Sequence, residues 1–197
     1  LREKGILKAQ KKQDRETNEG VISFYNHETS LNSFSLCKIK CETDFVAKND
    51  DFLSFANQLT KAIHESDNIK PEGNFDDISS ISFNEKDLNS ALTDLISKIG
   101  ENIQISRSEI LSPSGSGLVE SYVHTGAKVA VLLSVSSDSS DVAGNDQVVS
   151  MAKDICMHIA ATSPVCVSRE EVPSELVEKE KVCAHEEPAR FDARTEK

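Results

Sequence analysis

The residues of this chain with the most reactive side chains are its five cysteines and five histidines. The cysteines stand at positions 37, 41, 156, 166 and 183, with no CxxC pair among them. Cys37 and Cys41 have a spacing tolerable for two zinc ligands, but no second His or Cys pair follows to complete a tetrahedral set. The simpler expectation is reduced thiols, some of them buried as small apolar residues. His27, His64, His124, His158 and His185 are scattered, and none lies in HExxH. A Cys–His nucleophile pair has no local signature here. His158 sits among apolar neighbours on a predicted helix, where a satisfied boundary histidine is the first reading and a contact residue the second. Neither GxxxxGK[ST] nor GxGxxG occurs, so no loop is set up to cradle nucleotide phosphates. No serine stands in a nucleophile elbow. What remains is Lys40-Cys41-Glu42-Thr43-Asp44-Phe45-Val46-Ala47-Lys48-Asn49, between a predicted strand and a predicted helix. Strand–helix junctions on a rigid scaffold often carry recognition. Phe45 reads either as a hydrophobic staple on the following helix or as a ligand for a partner's pocket, and spacing alone favours the staple. Asp44 by itself reads as a cap or turn residue.

Composition narrows the partner. The 197 residues include 22 Lys and Arg against 33 Asp and Glu, a net charge of −11. Nucleic-acid binders usually carry a basic face. The clear basic patch here is Lys4, Lys8, Lys11, Lys12 and Arg15, so direct nucleic-acid binding fits poorly. A protein with a basic or metal-bearing surface is the better match. No apolar run is long enough to cross a membrane and no signal-peptide pattern opens the chain. The expected setting is the bacterial cytoplasm, with an organellar matrix or stroma as the other reading.

The elements that would position this segment follow from periodicity. Residues 1–20 are charged and helix-prone. Residues 21–25 and 34–41 read as strands of an antiparallel hairpin, the second placing Cys37, Ile39 and Cys41 on one face and Leu36, Lys38 and Lys40 on the other. From about Asp50, the residues Phe52, Phe55, Ala56, Leu59, Ala62 and Ile63 form a helical apolar stripe, with Asn49 or Asp50 as N-cap. Residues 65–87 are polar and acidic and read as a loop or insertion. Leu88, Ala91, Leu92, Leu95, Ile96 and Ile99 make another helix, ended by Gly100 as a left-handed C-cap. Residues 102–106 read as a strand and 112–117 as a turn. The pattern then repeats: 118–124 parallels 21–27, 128–135 parallels 34–41, and a helix follows with Val149, Ala152, Ile155, Cys156 and Ile159 inward. Ser168 to Glu171 fits a capping box, residues 174–182 a surface helix, and the end beyond Cys183 a disordered tail. The expected fold is α+β, with two related subdomains, each a hairpin or sheet packed on helices. The expected boundaries are 1–20, 21–117, 118–167 and 168–197.

The run Cys41-Glu42-Thr43-Asp44-Phe45-Val46-Ala47-Lys48-Asn49-Asp50 closely resembles the signature of the bacterial and organellar elongation factor Ts family. Further segments agree in order: Leu1-Arg2-Glu3-Lys4-Gly5, Ile99-Gly100-Glu101-Asn102-Ile103, Tyr122-Val123-His124-Thr125-Gly126, Ala152-Lys153-Asp154-Ile155-Cys156-Met157-His158-Ile159, and Ser168-Arg169-Glu170-Glu171-Val172-Pro173. The resemblance covers residues 1 to about 182. It implies a non-enzymatic guanine-nucleotide exchange factor for elongation factor Tu, needing no cofactor or metal of its own. It further implies that Phe45 inserts into the partner's G domain and that Asp44 disturbs its Mg²⁺ site, with Thr43 and Val46 completing the motif. Val129, Ala130 and His158 match a second contact; Ala130 stands where relatives often have glycine, and a methyl group there would alter a close backbone approach. The resemblance also implies that most of the family's small N-terminal domain is missing from this chain. A homodimer is left open. The alternative reading is an interaction module that binds a GTPase without full exchange activity.

Overall fold

In this computed structural model the residues described are 7, 9–26, 33–66, 72–73, 78, 81–83, 86–113, 115–139 and 144–186. In chain order the elements are strands β1 (Glu19–Asn26) and β2 (Phe34–Cys41), helices α1 (Asp44–Ala47) and α2 (Asp50–His64), and the short strands β3 (Glu72–Gly73), β4 (Ser82–Phe83) and β5 (Lys86–Asp87). They are followed by helix α3 (Leu88–Ile99), strands β6 (Ile103–Leu111), β7 (Leu118–Val123) and β8 (Ala130–Val135), and helices α4 (Asp146–Thr162) and α5 (Ser174–Glu186). The fold is α+β, as the periodicity predicts. The chain divides into two compact units, Leu1–Ala161 and Thr162–Lys197.

The larger unit is built on an antiparallel sheet with the order β1-β2-β6-β3. From Cys37 to Cys41 β2 alternates: Cys37, Ile39 and Cys41 are buried while Lys38 is exposed. This is the period of two expected of a strand with one covered face. Where Lys38 opposes Arg107 and Ile39 opposes Ile105, the register slips by one residue in a bulge, which keeps both isoleucines in the core. The helix α2 covers that face with Phe52, Ala56, Leu59 and Ile63, all fully buried, and with Phe55. Burying each large side chain contributes about 1.5–3 kcal/mol. Thr60, buried on the same helix, is satisfied by donating to the Ala56 carbonyl at 2.8 Å. At the ends of α3, Asp87 accepts from the Ser90 N–H and Gly100 takes φ +91°. Gly100 is the expected left-handed stop.

Several boundaries differ from the sequence-based expectation. The loop after β2 contains the one-turn helix α1. The stretch 65–87 is more than a surface insertion, because Ile78, Ile81 and Phe83 are buried in the main core and the Phe83 ring packs, tilted, against Phe55 with centroids 5.1 Å apart. The strand expected over 102–106 runs from Ile103 to Leu111, its length set by pairing along the whole of β2. The strand expected over 128–135 starts at Ala130, because the His124 N–H closes the turn onto the Val129 carbonyl at 2.9 Å. On α4, Ala152 and Cys156 are buried, but Ile155 is 37 % exposed rather than inward. That strand pair and helix leave a narrower covered face than the first sheet does. His27, part of the internal parallel, and Ser114 lie outside the described residues.

In the smaller unit the expected capping box does not form, since the bond of Glu171 falls one residue before the N-cap Ser168. Ser168 begins a short 3₁₀ turn (Arg169–Glu171) without a side-chain cap bond, whereas Glu171 reaches back to accept from the Val167 N–H at 3.3 Å. The helix α5 extends past the expected end at 182 to Glu186. The tail beyond it lies outside the described residues.

Candidate functional site

Thr43 to Asn49 form a rigid, outward-facing helical turn. Thr43 caps α1, its Oγ1 accepting from the Val46 N–H at 3.4 Å. The same hydroxyl donates to Glu101 Oε1 at 2.7 Å, and the Thr43 N–H donates to Glu101 Oε2 at 3.0 Å. One carboxylate thus clamps the start of the turn twice. At its far end, Asn49 caps α2 by accepting from the Asp51 and Phe52 N–H groups. Between the two caps the backbone turns Val46 and Ala47 inward, at 9 % and 8 % exposure, and Phe45 outward, at 83 %. The staple reading of Phe45 is therefore wrong: the side chains that pin the turn to the core are its two small aliphatic neighbours.

Asp44 lies beside Phe45 on the exposed side, paired with Lys48 at 3.0 Å. The hydrogen bond and charge of Lys48, with a contribution from Lys128, hold the Asp44 carboxyl below its usual range. It is a fixed negative charge next to an exposed aromatic ring. Behind the turn, burial pushes the Cys41 thiol up to about 11, reinforced by the carboxylates of Glu101 and Glu19. Burial alone pushes Cys37 to about 12. These thiols are apolar core groups, with Cys41 donating to the Thr43 carbonyl at 3.2 Å.

Of the other sequence-predicted residues, Val129 is exposed in the β7–β8 turn and Ala130, half-buried, opens β8. His158 is exposed on α4. The carbonyl of Ala127, in the same turn as Val129, accepts from the Ile22 N–H at 2.7 Å, so this hairpin reaches the first sheet.

Sequence inspection missed the residues that hold the turn. The register pairs Cys41 with Ile103 and Lys40 with Gln104. Continued past the strand ends, it sets Glu42 beside Asn102 and Thr43 beside Glu101. Glu42 Oε1 accepts from the Asn102 N–H at 2.6 Å, and Glu42 also meets Arg15 at 3.5 Å. Asn102, 2 % exposed, donates from Nδ2 to the carbonyls of Gln13 at 3.2 Å and Arg15 at 2.8 Å. Lys12 donates to the Gly100 carbonyl, a favourable placement for a cation at a helix C-terminus. The N-terminal basic patch is therefore partly spent on fastening residues 12–15 under the site. The signal that could have found this network was the β2–β6 register, which needs both strands to be paired first.

Phe45 is thus an exposed aromatic beside a lysine-paired carboxylate, on a turn held at both ends by hydrogen bonds to an α+β scaffold. A family model described as elongation factor TS matches residues 42–196. The chain is 38 % identical over 181 residues to elongation factor Ts of Clostridium kluyveri, covering 92 % of this chain and 57 % of the relative. It is 36 % identical over 184 residues to elongation factor Ts of Nautilia profundicola, covering 93 % and 58 %, and 38 % identical over 181 residues to that of Alkalilimnicola ehrlichii, covering 92 % and 56 %. The chain belongs to the elongation factor Ts family, and it spans a little over half the length of these curated relatives. Among the described residues no helix is long and apolar enough to cross a membrane.

Proposed function

We propose that the chain is a non-enzymatic guanine-nucleotide exchange factor, binding elongation factor Tu and promoting GDP release during translation elongation, in bacterial cytoplasm or an organelle. The observation that carries this reading is Phe45, 83 % exposed on a turn capped at both ends. An aromatic ring left in water on a rigid mount is ready to be buried by a partner, and seating it contributes about 2–3 kcal/mol. Preorganisation means little ordering cost on binding. Asp44 adds a negative charge where it can compete for the partner's Mg²⁺, the ion that neutralises bound phosphates. Thr43 and Val46 shape the turn, while Val129, Ala130 and His158 supply a second contact. We place the two core subdomains at 21–117 and 118–167, flanked by the segments 1–20 and 168–197.

The energetics are those of linkage. Whatever factor this chain takes from GDP affinity, GDP takes from the affinity for this chain. A coupling of ~3 kcal/mol corresponds to roughly 150-fold. The test is release of labelled GDP from elongation factor Tu with and without the chain. Stimulation by the parent and its loss in Phe45→Ala support the reading; no stimulation by the parent sinks it. The alternative is a module that binds the GTPase without full exchange. Calorimetric binding without faster release selects that one.

A further inference from the structure

The tip of the hairpin β7–β8 meets the start of β1 through Ala127 and Lys128. β1 is the outer strand of the sheet, with only β2 beside it, so half of its N–H groups face away from any ladder partner. The Ala127 carbonyl takes one of them, accepting from Ile22 at 2.7 Å. Ala127 adopts φ +51°, uncommon for a residue with a side chain, and packs its methyl group against the edge of the main core. The next residue, Lys128, donates to Glu19 Oε2 at 2.7 Å, at the start of β1. Lys128 and Asp44 also lie near enough that each favours the other's charged form. Beneath them runs a cleft of about 220 Å³, bordered by Gly20, Ile22, Lys38 and Lys40.

We infer that Lys128 is a positioning residue: by pairing with Glu19 and facing Asp44, it locks the tip of the second hairpin to the edge of β1. Val129 and Ala130 directly follow the lock, and the Asp44 carboxylate lies within charge range of it. The lock makes two surface patches from different parts of the chain into one face of fixed spacing. An exposed ion pair by itself contributes little. Here it acts on the same two residues' span as a backbone hydrogen bond and a packed methyl group, so loss of the pair frees the tip locally. The consequence for a partner rests on the exchange-factor reading; the lock itself belongs to the chain alone.

Amide hydrogen exchange on the intact chain tests it, read at Ile22. Lys128→Ala and Glu19→Gln should each speed Ile22 exchange about two- to fivefold, the size of one exposed ion pair, with the Cys37 and Ile39 amides unchanged. The double variant Glu19→Gln with Lys128→Ala should be no faster than the faster single, and Lys128→Arg should preserve the parent rate. In the GDP-release assay Lys128→Ala should raise the half-saturating concentration of the chain and leave the maximal rate alone. The inference is overturned by an unchanged Ile22 rate in both single variants, by uniform acceleration of all amides, or by a double variant whose acceleration is the full product of the two singles. Failure of the exchange-factor reading looks different: the parent itself stimulates no release, and the Ile22 rates still decide the lock.

Discussion

Replacing Glu101 with alanine should loosen the Phe45 turn without altering Asp44 or Phe45 themselves. Glu101 accepts two hydrogen bonds, from the Thr43 N–H at 3.0 Å and the Thr43 hydroxyl at 2.7 Å. A hydrogen bond to a charged group contributes about 1.5–3 kcal/mol. Both partners are half-buried, so water can replace part of what is lost, and two bonds to one carboxylate do not add fully. The expected destabilisation is therefore about 2–3 kcal/mol for the pair. Glu101→Gln keeps one acceptor oxygen and should cost about 1 kcal/mol. Thr43→Val removes the hydroxyl that both donates to Glu101 and caps α1, so its effect and that of Glu101→Ala should overlap in a double-mutant cycle. Urea unfolding is the assay: the midpoint should fall with an unchanged slope, and thermal melting should drop by about 5–10 °C. A loss under about 0.5 kcal/mol, the range of neutral surface changes, would refute the clamp. So would full additivity of Glu101→Ala and Thr43→Val, because it would mean that the two side chains do not act on each other.

Three further outcomes follow from the same geometry. Phe45→Ala, at an exposed site, should leave stability within about 0.5 kcal/mol of the parent in urea unfolding while lowering GDP release, separating contact from folding. Gly20→Ala should destabilise by about 3 kcal/mol, because Gly20 has φ +146° and an added Cβ would lie 2.1 Å from the Ile39 carbonyl oxygen; an unchanged urea midpoint would contradict the tight β1–β2 approach. In thiol titration at pH 8, exposed Cys183 should react fast while buried Cys37, Cys41 and Cys156 stay slow. Those three thiols are raised from 9.0 to about 12, 11 and 11. The folded state then holds protons that the unfolded state releases, so the stability they contribute is full below pH 9 and is lost as pH rises toward 11–12. A denaturation midpoint that climbs between pH 9 and 11 would reverse that sign.

Local pattern reached a long way into this fold. The stripe from Phe52 to Ile63, the Asn49 cap and the Gly100 stop were all legible, because each depends on residues within a few positions of one another. The alternation of Cys37, Ile39 and Cys41 against Lys38 was legible for the same reason. The pattern failed where burial came from distant partners. Ile78, Ile81 and Phe83 looked like part of a polar insertion, yet they close the core against Phe55. Ile155 looked inward by spacing, but the two-stranded ladder β7–β8 offers less surface to cover a helix than the first sheet does.

The Thr43-to-Asn49 turn divides the same way. The sequence by itself determined that a strand ends and a helix begins there, that an aromatic and a carboxylate sit between two cap residues, and that no nucleotide loop or nucleophile accompanies them. It could not decide whether Phe45 faces the core or the solvent, since a staple and a contact residue have the same spacing. Only the tertiary structure decided that. Pairing β2 with β6 brings Glu101 and Asn102, some 60 residues away in the chain, against Thr43 and Glu42. Those bonds set the angle of α1, sending Val46 and Ala47 into the core and Phe45 into water. The side chain's direction is a property of the register between two strands, and register exists only once both are folded against the same helix.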